Sequence, residues 1–307
     1  MTGLGGGHAM GCAVVRGAPP EEIGVARDEA SAGIRLHWGA TSAGGARDAN
    51  EDAYLAEPPI FLVADGMGGH RDGRQASTRV VAAFSAFAGR EWLAVEDIRA
   101  AIDQASERIQ ELADGRRRPG STLAGVALTK QDDLACWLVF NIGDSRVYRL
   151  AGERVEQITV DHSHVQELVD SGELSPEDAR VHGERNIVTR ALGAGMPGVP
   201  RVDQWLLMVE PGERLMICTD GLSGILTDQL IAATLIVADD PQDACDRLVR
   251  TALAAGSRDN VTAVVVEVVG PSRSGDIPGR GGDEMAPEVD LDSPTAPPSR
   301  GTLGGSS

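Results

Sequence analysis

The sequence predicts an α+β domain in which mostly antiparallel sheets are covered by helices. Three observations predict it. Short β-rich runs recur from about residue 34 to residue 268. They are interrupted by two pairs of consecutive helical patterns, one mid-chain and one near the end, whereas a doubly wound parallel sheet would alternate single strands with single helices. Finally, 307 residues with 42% hydrophobic and 24% charged side chains can bury a substantial core, which excludes a miniprotein held by disulfides or metals and a wholly disordered chain.

Residues 1–33 open with Gly5-Gly6-Gly7 and hold no sustained period of 2 or 3.6, so a flexible extension is expected there. Strands are expected over 34–38, 60–64, 121–128, 135–142, 146–150, 202–207, 214–219 and 261–268, where apolar and β-branched runs end in turn residues. Helices are expected over 73–87, 95–112, 227–238 and 241–254. Within the second, Ile98, Ile102, Ala105, Ile109 and Leu112 recur every three or four residues and form one apolar stripe. Pro241 opens the last helix at a first-turn position that tolerates a missing N–H. Residues 270–307, with Ser293-Pro294-Thr295-Ala296-Pro297-Pro298, are too rich in Gly, Pro, Ser and acids to offset chain entropy, and a disordered tail is expected. With aromatics at 3%, the core must be built mainly of Val, Leu, Ile and Ala.

The formal net charge of −18 argues against partners with phosphate backbones and against anionic membrane surfaces, and favours carboxylates gathered for divalent cations. No apolar stretch approaches the 18 or more residues of a membrane span. Cys12, Cys136, Cys218 and Cys245 lie far apart with no Cys-x-x-Cys pair, which fits reduced thiols in a cytoplasmic setting.

Five segments carry chemistry. In Arg47-Asp48-Ala49-Asn50-Glu51-Asp52, acids that could hold a hard cation follow an arginine that could grip phosphate oxygens through two bonds. In Phe61-Leu62-Val63-Ala64-Asp65-Gly66-Met67-Gly68-Gly69-His70, an apolar strand delivers an aspartate to a loop too glycine-rich for one turn. Asp144, Asp220 and the pair Asp259-Asn260 likewise stand where an apolar strand meets a loop. Each alone reads as a turn. Together, Asp65, Asp144, Asp220 and Asp259 at one edge of a sandwich would repel one another in a low-dielectric setting, and divalent cations remove that conflict. The oxygen-only set favours Mg²⁺ or Mn²⁺ over Zn²⁺.

These segments, with Gly120-Ser121-Thr122 and Thr219-Asp220-Gly221, form an ordered series that resembles the PP2C-type (PPM) metal-dependent Ser/Thr protein phosphatases, in particular the bacterial branch. The resemblance covers about residues 34–269. It implies an αββα sandwich, two central antiparallel β-sheets flanked by helix pairs, with two Mn²⁺ or Mg²⁺ ions at one end. It further implies that Asp65 bridges the ions, that Gly66 offers its carbonyl, and that Glu51 or Asp52 serves the second ion directly or through water. Asp220 and Asp259 would complete the first ion, and Asp144 with Asp220 a third, weaker position. Arg47 would bind the substrate phosphate, His70 would act as general acid or proton shuttle, and Asn260 would support the site.

Residues 163–200 match the family's flap beside the site, which shapes substrate choice, and Gly183 stands where proline is common. His162 and His164, just before it, read as structural or surface residues. The implied partners are phosphorylated Ser/Thr proteins made by a Ser/Thr kinase, and a monomer is expected. Two alternatives stand beside this reading: a dedicated regulatory phosphatase of an anti-sigma antagonist, and an inert binding module that keeps the sandwich without turnover.

Overall fold

The structure is a computed structural model that describes residues 27–31, 34–114, 116–132 and 134–269. The rest of the expected extension and the tail from residue 270 lie outside the described residues. The chain begins β1 (Arg27–Ser31), β2 (Ile34–Ala43), β3 (Ala53–Glu57), β4 (Ile60–Ala64) and β5 (Gly66–Met67), then α1 (His70–Phe84) and α2 (Val95–Gln110). It continues through β6 (Gly120–Ser121), β7 (Leu123–Gln131), β8 (Leu134–Ile142), β9 (Arg146–Ala151) and β10 (Arg154–Gln157) to α3 (His164–Asp170) and α4 (Pro176–Ala179). It closes with β11 (Leu192–Gly193), β12 (Asp203–Met208), β13 (Arg214–Cys218), α5 (Asp220–Ser223), α6 (Asp228–Val237), α7 (Pro241–Ala254) and β14 (Val261–Val268).

Two antiparallel sheets form the centre, ordered β1-β2-β14-β13-β9-β10 and β12-β8-β7-β4-β3. Strand alternation assigns each face. Along β4, Phe61 and Val63 point into the layer between the sheets, while Ile60, Leu62 and Ala64 meet α1 and α2. Along β14, Val264, Val266 and Val268 join the inner layer, and Val261, Ala263 and Val265 meet the α6 and α7 side. A strand buried on both faces reads as an unbroken apolar run, so the period of 2 is invisible in sequence. The result is the expected four-layer αββα sandwich. Phe61 stands edge-on between Trp38 and Trp137 at centroid distances of 5.8 and 6.4 Å, and burying such a side chain contributes about 1.5–3 kcal/mol.

Several expectations need correction. Part of the extension is ordered, because β1 pairs with β2 from Arg27 opposite Trp38 to Ser31 opposite Ile34; backbone pairing supplies what a polar sequence without period could not signal. The run expected at 121–128 breaks at Thr122, which separates β6 from β7. Helix α1 begins at His70, three residues early, and its expected end, Ser85–Phe87, is a 3₁₀ turn. Strand β3 went unrecognised because Ala-Tyr-Leu-Ala-Glu has little β character of its own and is fixed by pairing with β4.

Candidate metal centre

Every candidate acid stands at one end of the sandwich. Arg47, Glu51 and Asp52 occupy the loop between β2 and β3, Asp65 follows β4, and Asp144 sits in the β8–β9 hairpin. Asp220 follows β13 as the first residue of α5, and Asp259-Asn260 lead into β14. These loops are neighbours because the register makes them so: Val261 pairs with Ala43, Cys218 with Ala263, Ala64 with Ala53 and Ile142 with Leu123.

Hydroxyl and amide side chains lock the loops. The Asp65 amide donates to Thr122 Oγ1 at 3.0 Å, the Thr122 amide donates to the Asp65 carbonyl at 2.9 Å, and Thr122 Oγ1 lies 2.8 Å from Ser145 Oγ, beside Asp144. Asn260 donates from Nδ2 to the carbonyls of Gly44 and Ala49, at 3.0 and 3.1 Å, and accepts the Glu51 amide at 2.8 Å. Asp52 lies behind the site, 7% exposed, and accepts from Thr262 Oγ1 at 2.6 Å and Thr219 Oγ1 at 3.0 Å.

A cavity of about 400 Å³ is lined by Arg47, Glu51, Asp65, Gly66, Asp144, Asp220, Asp259 and Asn260, with Gly68 and Gly69 at its edge and Asn186 and Val188 from the flap. Asp52 is outside this lining. His70 opens α1, and its side chain lies outside the described set. Gly73 acts as a cradle: a Cβ there would collide with Glu51 Oε2 and stand 2.8 Å from the Gly66 carbonyl oxygen, so both oxygens face the same small space.

The acids carry an electrostatic conflict. Burial, then the charges of Asp52, Asp220 and Asp144, holds the Asp65 carboxyl well above the usual range. Burial and Asp220 do the same to Asp144, and burial raises Asp220. Burial pushes Asp52 up to about 7 against the two threonine hydrogen bonds that pull it down.

The residues fit hard divalent cations. Asp220 Oδ1 and Asp52 Oδ1 are buried without a hydrogen-bond partner, a costly state for a carboxylate oxygen, and the donors are all oxygen. Among the described residues, however, no three His, Cys, Asp or Glu side chains already converge on one ion position. One of the acids is already engaged: Arg47 Nη2 holds Asp259 Oδ2 at 2.6 Å.

Residues 44–262 match the protein phosphatase 2C family. The chain belongs to that family. This phosphatase 2C chain is 36% identical over 228 residues to the serine/threonine protein phosphatase PstP of Mycobacterium tuberculosis, covering 72% of this chain and 42% of that protein. It therefore spans about two fifths of the length of PstP. It is 34% identical over 219 residues to the serine/threonine phosphatase stp of Listeria welshimeri, covering 68% of this chain and 84% of that one. Among solved structures, the PPM Ser-Thr phosphatase MsPP of Mycobacterium smegmatis in complex with cacodylate is similar at a TM-score of 0.66 and 38% identity, covering 75% of this chain and 97% of that one. The catalytic domain of PstP in complex with two manganese ions is similar at a TM-score of 0.66 and 31% identity, covering 76% and 98%.

Some contributors were not foreseen. Thr262 is the one hydroxyl in the Val/Ala-rich strand β14, two residues after Asn260, and that polarity was its signal. Asn186 and Val188 reach the cavity from the flap and carry no signal in sequence. His162, read as structural, is 7% exposed and ties the flap to the Asp144 hairpin. Its Nδ1 accepts the Gly143 amide at 2.9 Å, its own amide donates to the Gly143 carbonyl at 2.9 Å, and its carbonyl accepts the Thr189 amide at 2.8 Å.

Proposed function

We propose that the chain is a metal-dependent phosphoprotein phosphatase that hydrolyses phosphoserine and phosphothreonine. One observation carries the reading: acids from five separate chain segments line a single cavity, and one of them, Asp220, keeps a buried oxygen without a donor. Membership of the phosphatase 2C family supports it.

In this reading Asp65, Asp220 and Asp259 would hold one cation, and the Gly66 carbonyl and Glu51, with Asp65, would hold the other. Asp144 with Asp220 forms a weaker third position, and Mn²⁺ or Mg²⁺ suits the oxygen set. When bound, the two cations would supply the positive charge and the acidified water that hydrolysis of so inert an ester requires. Asp52 supports the loop from behind. Arg47, 58% exposed at the rim and only loosely secured by its ion pair with Asp259, is free to exchange that carboxylate for two phosphoryl oxygens. His70, at the start of α1, is the candidate donor of a proton to the departing serine or threonine oxygen. Substrates would be phosphoproteins made by a Ser/Thr kinase. The described cysteines are unpaired and buried, and no helix among the described residues is long and apolar enough to cross a membrane; a cytoplasmic setting fits both.

The test is hydrolysis of p-nitrophenyl phosphate and a phosphothreonine peptide with and without Mn²⁺, alongside the Mn²⁺ stoichiometry. Wild type should turn over only with the metal, and Asp65→Asn should lose both activity and bound Mn²⁺ while remaining folded. A Mn²⁺-loaded wild type without turnover would instead make the chain an inert binding module.

A further inference from the structure

In a chain of net charge −18, three consecutive arginines, Arg116, Arg117 and Arg118, lead into Pro119 beside Gly68, a residue that lines the cavity, and so form a lip next to it. Their neighbour Pro119 is pressed against the catalytic loop. A Cβ added at Gly68 would lie 3.0 Å from Pro119 Cα and 3.1 Å from the Arg118 carbonyl oxygen. Strands β5 and β6 pair Met67 with Gly120 and Gly66 with Ser121 immediately alongside.

Only one of the three arginines is neutralised. Arg117 donates from Nε to Asp114 Oδ2 at 2.7 Å and from Nη1 to Asp72 Oδ1 at 3.3 Å, which anchors the segment to the first turn of α1. Those are the carboxylates that hold the segment in place, and both are engaged by the same guanidinium. Arg118 lies across Gly195 at the end of the flap, with Nε and Nη1 each 3.2 Å from where a Cβ would stand. Arg116 and Arg118 are exposed, and neither guanidinium has a carboxylate partner among the described residues. Arg71, also exposed, adds charge of the same sign beside Asp72.

The path from the reacting centre to this lip is open. Gly68 and Gly69 line the cavity, and a Cβ at Gly69 would meet nothing within 4 Å. Gly68 lies three positions after Asp65, at most about 10 Å of extended chain, so a bound peptide reaches the arginines within a few residues of its phosphate.

We propose that this lip is a specificity subsite that selects phosphoproteins carrying Asp or Glu two to four positions from the phosphorylated residue. The inference rests on the phosphatase reading and deepens it. Net charge alone would steer acidic substrates away. At physiological ionic strength the screening length is about 8 Å, so two unpaired guanidinium groups at the lip outweigh carboxylates spread over the rest of the surface. Each planar guanidinium can grip a carboxylate through two bonds.

The experiment compares kcat/KM on three phosphopeptides that differ only in acidic, neutral or basic residues at those flanking positions. Wild type, Arg116→Gln/Arg118→Gln and Arg116→Glu/Arg118→Glu are assayed at low and high salt. An exposed pair changes binding by a factor of about two to five, so wild type should favour the acidic over the neutral peptide by about tenfold at low salt and by less at high salt. The Gln variant should bring the ratio near one, and the Glu variant should invert it. Because each ratio is taken on one enzyme preparation, partial misfolding cancels. Equal rates on all three peptides, a preference of wild type for the basic peptide, or a ratio unmoved in the Glu variant would overturn the subsite alone. No hydrolysis of any peptide or of p-nitrophenyl phosphate would remove the phosphatase reading, and the subsite with it.

Discussion

Thr262→Val isolates the electrostatic conflict beneath the metal centre. Thr262 is fully buried, and its hydroxyl donates to Asp52 Oδ2 at 2.6 Å and lies 2.8 Å from Ser42 Oγ. Valine keeps the shape and deletes the donor. A hydrogen bond to a charged group contributes about 1.5–3 kcal/mol, against roughly 1 kcal/mol to a neutral one. Burial holds the Asp52 carboxyl near 7 in the folded metal-free protein, above the ordinary 3.8. The native state therefore binds more protons than the unfolded one over that interval, and stability present at low pH is lost as pH rises through 7. Losing a hydrogen bond that favours the ionised form raises this value further, so the variant gives up stability over a wider range. At about pH 5.5 the variant should lie about 1 kcal/mol below wild type and at about pH 8.5 about 2–3 kcal/mol below. For a domain of this size that corresponds to roughly 2–4 °C and 4–12 °C in Tm. Thermal unfolding in EDTA at both pH values reads the difference. A Tm gap that is the same at both, or larger at the acidic one, would refute the buried ionisation of Asp52.

Three further outcomes are expected. Gly73→Ala should raise the Mn²⁺ concentration needed for half-maximal binding by calorimetry, because its methyl group would occupy the space shared by Glu51 Oε2 and the Gly66 carbonyl; unchanged affinity would show that those oxygens do not face an ion. The stabilisation that Mn²⁺ confers over EDTA should grow between about pH 5.5 and 8, since burial raises the Asp65, Asp144 and Asp220 carboxyls and protons then compete with cations at the lower pH; a larger Tm increment at acidic pH would contradict this. His162→Leu should cost about 1–3 kcal/mol by leaving the buried Gly143 amide without its acceptor, with His162→Asn recovering part of the loss in urea unfolding through its own side-chain oxygen.

The sequence alone determined the class of fold and which acids stand where apolar strands end. Paired helices between runs of strands are a property of local periodicity, and aspartates at the ends of apolar strands are visible as composition. Strands such as 60–64 and 261–268 were legible to the residue because apolar runs bounded by turn signals leave little choice. The ordered motif series also placed Arg47, Asp65, Asp220 and Asp259 among the candidates, and all four line one cavity.

Only the tertiary structure decided how those acids stand toward one another. That Asp52 lies behind the cavity on two threonine hydroxyls while Glu51, its neighbour in sequence, lines it is a matter of which way each residue faces. Thr122 and Thr262 act on Asp65 and Asp52 across 57 and 210 residues, separations that no periodicity encodes. Strand β1 and the arginine lip beside Gly68 belong to the same class. Their signal is the partner brought alongside by folding, and hydrogen bonding and charge depend on distances in space that a one-dimensional pattern does not contain.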